Sequence, residues 1–239
     1  MPSLLMIQPG AFGDIIICAP IAKWYADAGY DVYWPASKKF VDKMLRPLSY
    51  VTPIVLDEQE LDDDWLRSDV LKCLYLHAKN RYDYVLNLAD RGPHPTAELP
   101  DETFEECKYR LASVPFGQKH LFCWTNNAAR SHDVFVKYVQ SKIQGPYAFV
   151  HNTSSHEEEI PLPKIDIPIV RCEDFSPEYN IYDWYDVIVG ASEIYVSESS
   201  IWAFCDGIVD QLTEDRYLLP RIDMGTCRTV SKHWKKDYL

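Results

Sequence analysis

The opening of the chain limits its fold more than any other stretch. Leu4-Leu5-Met6-Ile7 is an unbroken apolar run, followed by Gln8 and closed by the turn signal Pro9-Gly10. A helix-length segment follows from about Gly13 to Ala28, then the helix stop Gly29, then a second strand-like segment, Asp31-Val32-Tyr33-Trp34-Pro35. A short continuous apolar run bounded by turns reads as a strand buried on both faces, the condition met in a parallel sheet covered by helices. A glycine just past a helix supplies the left-handed residue that ends it. Strand, turn, helix, glycine, strand is a βαβ unit.

The alternation continues along the chain. A short helix is expected over Phe40 to Leu45 and a strand over Val51 to Leu56, on a sheet edge because Pro53 lacks an N–H for the ladder. The acidic stretch Asp57 to Asp64 leads into a helix from about Trp65 to Lys79, and Tyr82 to Leu88 forms a fourth strand. Helical signals return from Glu102 to about Lys142, with a break near Pro115-Phe116-Gly117. Gln144-Gly145-Pro146 reads as a hinge, after which Tyr147 to His151 opens a second alternating run. That run has strands at Asp166–Arg171, Glu193–Ser197 and Arg216–Pro220, and helices at Ile181–Gly190 and Ser200–Leu212. The expectation is an α/β protein of two Rossmann-like halves, 1–143 and 144–239, with mostly parallel sheets and a reduced second half.

Charge narrows the partners. A formal net charge of -12 opposes broad electrostatic binding to nucleic acid or anionic lipid, although a local groove for modified DNA bases stays open. The seven cysteines are odd in number and lack CxxC spacing, so free thiols in a reducing cytoplasm are expected. Met1-Pro2-Ser3-Leu4-Leu5 has no charged n-region, and Ile15 to Ala22 is too short to span a bilayer, so the expectation is a soluble protein with no membrane span. Oligomeric state is not legible.

Ligands of open α/β sheets bind beyond the carboxyl ends of the strands, and four loops occupy such ends. Gly10-Ala11-Phe12-Gly13-Asp14 follows the first strand; its glycines admit a ligand close to the backbone, next to the free N–H groups of a helix start. Asp14 could act there as a general base or simply complement the helix dipole. His151-Asn152-Thr153-Ser154-Ser155-His156 could hold phosphate or sugar hydroxyls, or be a capped turn. Ser197-Glu198-Ser199-Ser200 precedes a helix: its serines serve as a cap or an anion site, and Glu198 could accept from ribose hydroxyls. In Asp90-Arg91-Gly92, Arg91 could bind an acidic ligand or make a surface ion pair.

Other patterns carry less. The opening loop lacks GxGxxG and no acidic residue ends the second strand, which counts against a dinucleotide enzyme. Asp62-Asp63-Asp64 resembles a DxD metal motif but directly precedes a helix, where carboxylates favour the dipole. Cys73 and His77 share a helix face without a second pair to complete a zinc site.

Taken together the four loops resemble glycosyltransferase family 9, which includes the ADP-heptose:lipopolysaccharide heptosyltransferases and has the GT-B fold. The resemblance begins with Ile7-Gln8-Pro9-Gly10-Ala11-Phe12-Gly13-Asp14-Ile15-Ile16 and continues with Ala19-Pro20-Ile21, Gly29-Tyr30-Asp31-Val32-Tyr33 and Tyr82 to Leu88. In the second half, Val150 to Ser155 stands where the family has a strand followed by His-Pro-Gly-Ala-Ser. Ala191 to Phe204 is similar to its donor segment, with Glu198 in place of Asp, Ser200 in place of Gly, and Trp202 near the usual His.

The resemblance implies a nucleotide-sugar donor held by the second half, at His151, Asn152, Ser154, Ser155, Glu198, Ser199 and Ser200, with Lys164 as a basic contributor. It implies a hydroxyl-bearing acceptor among Gly10, Phe12, Gly13 and Arg91, and Asp14 as the base that deprotonates it. It implies neutralisation of the leaving diphosphate by helix dipoles and basic side chains, with neither metal nor cofactor. The alternative, motivated by the changes at Glu198, Ser200 and Trp202, is a non-catalytic nucleotide- or sugar-binding protein with a GT-B-like body.

Overall fold

A computed structural model describes residues 1–56, 65–89, 102–125, 127–153, 159–172, 178–219 and 232–235. The acidic stretch from Asp57 to Asp64, Arg91 with its loop, and Ser154 and Ser155 lie outside these residues. The chain divides into two compact units, Met1–Thr125 and Asn126–Leu239.

The first unit is built on a parallel sheet. In chain order its elements are β1 (Ser3–Ile7), α1 (Phe12–Asp27), β2 (Asp31–Ser37), the short α2 (Lys38–Phe40), β3 (Thr52–Leu56), α3 (Trp65–Asn80), β4 (Tyr84–Asn87) and α4 (Phe104–Leu111). α2 runs into a π-helical stretch, Val41–Leu45, and a 3-10 turn covers Phe116–His120. The strand order is β3-β2-β1-β4. β1 is buried on both faces, Leu4 to Ile7 being at most 2% exposed. Leu5 and Ile7 pack with Leu56, Cys73 and Ala89, and the alternating residues Leu4 and Met6 face the opposite side. α1 ends as expected: Gly29 takes φ +89 and its N–H bonds the Ala26 carbonyl. β3 is an edge strand, as Pro53 requires.

The second unit has α5 (Ala128–Phe135), continued by a π-helical stretch Val136–Gln140, then β5 (Ala148–His151), β6 (Ile169–Arg171), α6 (Tyr185–Val189), β7 (Glu193–Ser197), α7 (Ser200–Gly207) and β8 (Arg216–Leu219). The helices expected at Ile181–Gly190 and Ser200–Leu212 are each part 3-10, at Ile181–Trp184 and Val209–Gln211. The sheet, again parallel, has the order β6-β5-β7-β8. Between β5 and β6 the described residues contain no helix. Instead Ile160, Leu162, Ile165 and Ile167 lie over Ala148, Val150, Tyr195 and Leu219.

The division falls at Thr125/Asn126, earlier than the 143/144 expected from sequence. α5 packs on α6 and on the 3-10 turn Ile181–Trp184. Arg130 donates from Nε and Nη2 to Asp183 Oδ2 at 3.1 and 3.0 Å, and Ser131 Oγ accepts the Asp186 N–H at 2.9 Å. Gln144-Gly145-Pro146 is therefore a turn inside the second unit; Gly145 sits at φ +96, a conformation open to glycine and strained for other residues.

Candidate functional site

Strand order locates the crevice in each unit. In the first, the chain moves from β1 outward to β2 and β3, then crosses back to place β4 on the other side of β1. The loops leaving β1 and β4 thus diverge, and the gap between them is the topological switch point where open α/β sheets bind ligands. In the second, β6 and β7 lie on opposite sides of β5, so the switch point falls between β5 and β7. The loops after β1, β5 and β7 are three of the four chosen from the sequence.

At the first switch point Gln8, 1% exposed, is the centre of a hydrogen-bond network. Its carbonyl accepts from Trp34 Nε1 at 2.7 Å. Its side-chain Nε2 donates to the Gly10 carbonyl and, at 3.3 Å, to Asp14 Oδ2. Its Oε1 accepts from Lys108 Nζ at 2.7 Å. Lys108 comes from α4, is 2% exposed, and also donates to the Leu88 carbonyl just past β4. Its ammonium lies 4.5 Å from the centre of the Phe104 ring. One buried cation therefore joins the loops on both sides of the switch point.

Asp14 is half-buried in the first turn of α1, where a carboxylate also favours the helix dipole. The helix cap is Ala11, which supplies no side-chain bond. Phe12 packs edge-on against Phe40 at 4.9 Å, with the Lys39 ammonium 5.1 Å from its ring centre. Cys18, one turn further along, is fully buried; desolvation pushes its thiol up to about 12. The Lys108 charge works against that rise, while Asp14 and Glu105 add to it, so all three charges act at this spot. Glu105 is itself ion-paired with Lys119.

At the second switch point His151, 5% exposed, ends β5 with Nδ1 3.2 Å from Ser199 Oγ and 3.4 Å from Ser197 Oγ. Ser197 Oγ donates to the Thr153 carbonyl at 2.6 Å, tying β7 to the loop after β5. Ser199 caps α7, accepting the Trp202 N–H at 3.4 Å. Glu198 and Ser200 flank it, half-buried. Asn152, 3% exposed, donates to the Ile160 carbonyl at 2.8 Å and accepts from Arg171 Nη1 at 2.6 Å, which brings a cation from β6 to the same strand-end edge.

The structure thus brings together Gly10, Gly13 and Asp14 in one unit, and His151, Asn152, Glu198, Ser199 and Ser200 in the other. Lys164 stands apart: its side chain is 86% exposed and pairs with Asp166 at 2.7 Å. Trp202 is a core residue, 5% exposed. Sequence reasoning missed Lys108, Arg171 and the bridging role of Gln8. No local signal could have found Lys108, which lies 100 residues from Gln8.

Two parallel-sheet units with these switch points form a GT-B-like α/β fold, and solved structures with this fold are found among glycosyltransferases. The chain aligns over 93% of its length with 86% of a family 9 glycosyl transferase from Veillonella parvula, at TM-score 0.56 and 9% identity. It aligns over 99% with 90% of the E. coli ADP-heptose lps heptosyltransferase II, at TM-score 0.55 and 11% identity. Against the E. coli heptosyltransferase WaaC, solved with ADP-2-deoxy-2-fluoro heptose, 98% of the chain aligns with 92% of the other, at TM-score 0.52 and 12% identity. Identities this low establish the fold that the sequence resemblance implied. No protein-family model matches the sequence, and no curated protein matches it.

Proposed function

We propose that this chain is a glycosyltransferase that moves a sugar from a nucleotide-sugar donor to an acceptor hydroxyl. The observation that carries the reading is the placement of Asp14 beside the β1/β4 switch point, hydrogen-bonded by the buried Gln8. The fold shared with heptosyltransferases supports it.

In this reading Asp14 takes the proton of the acceptor hydroxyl as its oxygen attacks the anomeric carbon. The bond from that carbon to the diphosphate oxygen breaks, and the nucleoside diphosphate leaves with the electron pair. We assign Gly10, Phe12, Gly13 and Arg91 to the acceptor. The diphosphate is received by the N-terminus of α7 at Ser199 and Ser200, by Ser154 and Ser155, and by Arg171, while Glu198 accepts from the ribose. His151 and Asn152 hold these groups in place through Ser199 and Arg171. The reaction needs no metal in this scheme, because the helix dipole and cationic side chains oppose the leaving charge. We place the reaction in the cytoplasm.

Calorimetric titration with ADP, UDP and GDP and their sugar conjugates, followed by transfer assays with any that bind, tests the proposal. Asp14→Asn is expected to leave donor binding nearly intact and to lower turnover by about 10²–10⁴-fold, the usual contribution of a general base. If no nucleotide binds, or Asp14→Asn turns over at the wild-type rate, the assignment fails.

A second reading is a nucleotide- or sugar-binding protein without turnover. It draws on Lys164, whose ion-pair partner among the described residues is Asp166. Saturable nucleotide binding with no transfer to any sugar, lipid or modified-DNA acceptor favours it.

A further inference from the structure

We propose that Lys108 and Gln8 are a positioning pair for Asp14, in which the buried ammonium fixes the Gln8 amide so that it presents its N–H to the carboxylate. The inference rests on the reading of Asp14 as the base.

The argument follows from donors and acceptors. A glutamine amide offers an oxygen at one end and an NH₂ group at the other, and packing barely distinguishes the two orientations. An ammonium carries donors only, so the end of Gln8 that meets Lys108 Nζ at 2.7 Å must be the oxygen. The NH₂ end is then directed at the Gly10 carbonyl and at Asp14 Oδ2. In the opposite orientation two acceptors would face each other at Asp14. Lys108 therefore sets the polarity of a bond it does not itself make.

The burial of Lys108 points the same way. A cation 2% exposed has lost most of its hydration, and a well-packed apolar side chain of similar length is often no less stabilising at such a site. What the ammonium adds is its hydrogen bonds, to Gln8 and to the Leu88 carbonyl on opposite sides of the switch point. Among the described residues, the charged and titratable groups around this spot include Asp14 and Cys18 on α1, Lys108 and Glu105 on α4, Lys119 paired to Glu105 from the 3-10 turn, and Lys39 above Phe12.

The test is a carbon-13 NMR titration of the full chain labelled at aspartate carboxyls, with the Asp14 signal assigned from Asp14→Asn. Lys108→Met keeps the packed stem and removes the ammonium; Gln8→Met leaves the Lys108 bond to the Leu88 carbonyl available and removes the bridge together with the bond to the Gly10 carbonyl. Losing a donor to the ionised form raises a carboxyl midpoint. Lys108→Met is expected to raise that of Asp14 by about one pH unit. Gln8→Met should raise it less, since the ammonium remains nearby. In the double variant the two effects should fall short of adding, as for residues acting through one network. An Asp14 midpoint unmoved by Gln8→Met in folded protein, or effects that add in full in the double variant, overturns the proposal, because a lysine acting only through its charge does not need the amide. The titration needs no substrate. A wild-type protein that shows these shifts but transfers no sugar would disprove the glycosyltransferase reading and leave the positioning pair standing.

Discussion

Replacing Asp183 by alanine tests the buried carboxylate that caps the 3-10 turn Ile181–Trp184 and holds Arg130 of α5. Asp183 is 3% exposed, and its Oδ2 accepts the Asn180 N–H at 2.9 Å in a reciprocal capping box. The same oxygen receives both bonds from Arg130 of α5. A buried hydrogen bond to a charged acceptor contributes about 1.5 kcal/mol or somewhat more. The Arg130 pair is discounted, because the guanidinium side chain is 44% exposed and regains water when released; about 0.5–1 kcal/mol is a fair share. The expected loss is about 2–3 kcal/mol. With a urea m-value of about 1.5 kcal/mol/M, the unfolding midpoint should fall by roughly 1.3–2 M. Circular dichroism and tryptophan fluorescence report it, since Trp184 is buried beside the substituted residue. Lys137→Ala is the control. Its pair with Glu178 joins two side chains 46% and 59% exposed, and its removal should leave the midpoint unchanged. A drop for Asp183→Ala no larger than for Lys137→Ala would refute the anchoring of α5 on the second unit.

Two further outcomes follow from the same geometry. Ser199→Ala removes the cap of α7 and the hydroxyl beside His151, and should destabilise the protein by about 1 kcal/mol in urea titrations; no change would mean that the cap is not formed in solution. Cys18 bears on alkaline stability. Its folded thiol, pushed up to about 12, keeps its proton over a range where the unfolded thiol, near 9, has lost it. The folded state then binds more protons, so this thiol's contribution to stability is full below pH 9 and declines as the pH rises towards 12. Cys18→Ala should flatten that decline relative to wild type in urea midpoints measured across the window, and an identical slope would count against the burial of the thiol.

Much of the architecture was legible because burial on both faces leaves a local trace. Leu4 to Ile7 and Tyr147 to Val150 are unbroken apolar runs, and each lies in a central strand. Pro53 marked an edge strand through the N–H it lacks. The opening loop and the loops after β5 and β7 were legible for the same reason, since a strand end followed by small polar residues is a local pattern. Arg91, Ser154 and Ser155 lie outside the described residues.

The differences from the sequence reading share another cause. The amphipathic stretch Ala128 to Phe135 says that it has an apolar face, but not which sheet the face will cover, so the sequence alone points to a boundary at the turn residues after α5. The ion pair that settles its position spans 53 residues. The offset of Lys164 from the His151 loop follows from the family resemblance, yet the described residues of that crossover contain no helix, and the side chain projects into solvent beside Asp166.

By itself the sequence determined the alternation of strands and helices, the parallel sheets and the strand-end loops, because side-chain periodicity and turn chemistry act over a few residues. Only the tertiary structure decided the strand order, and with it the two switch points, the burial of Lys108 and the orientation of Gln8 against Asp14. Those depend on contacts between residues up to 100 positions apart, and neither partner of such a contact records the other in its own neighbourhood.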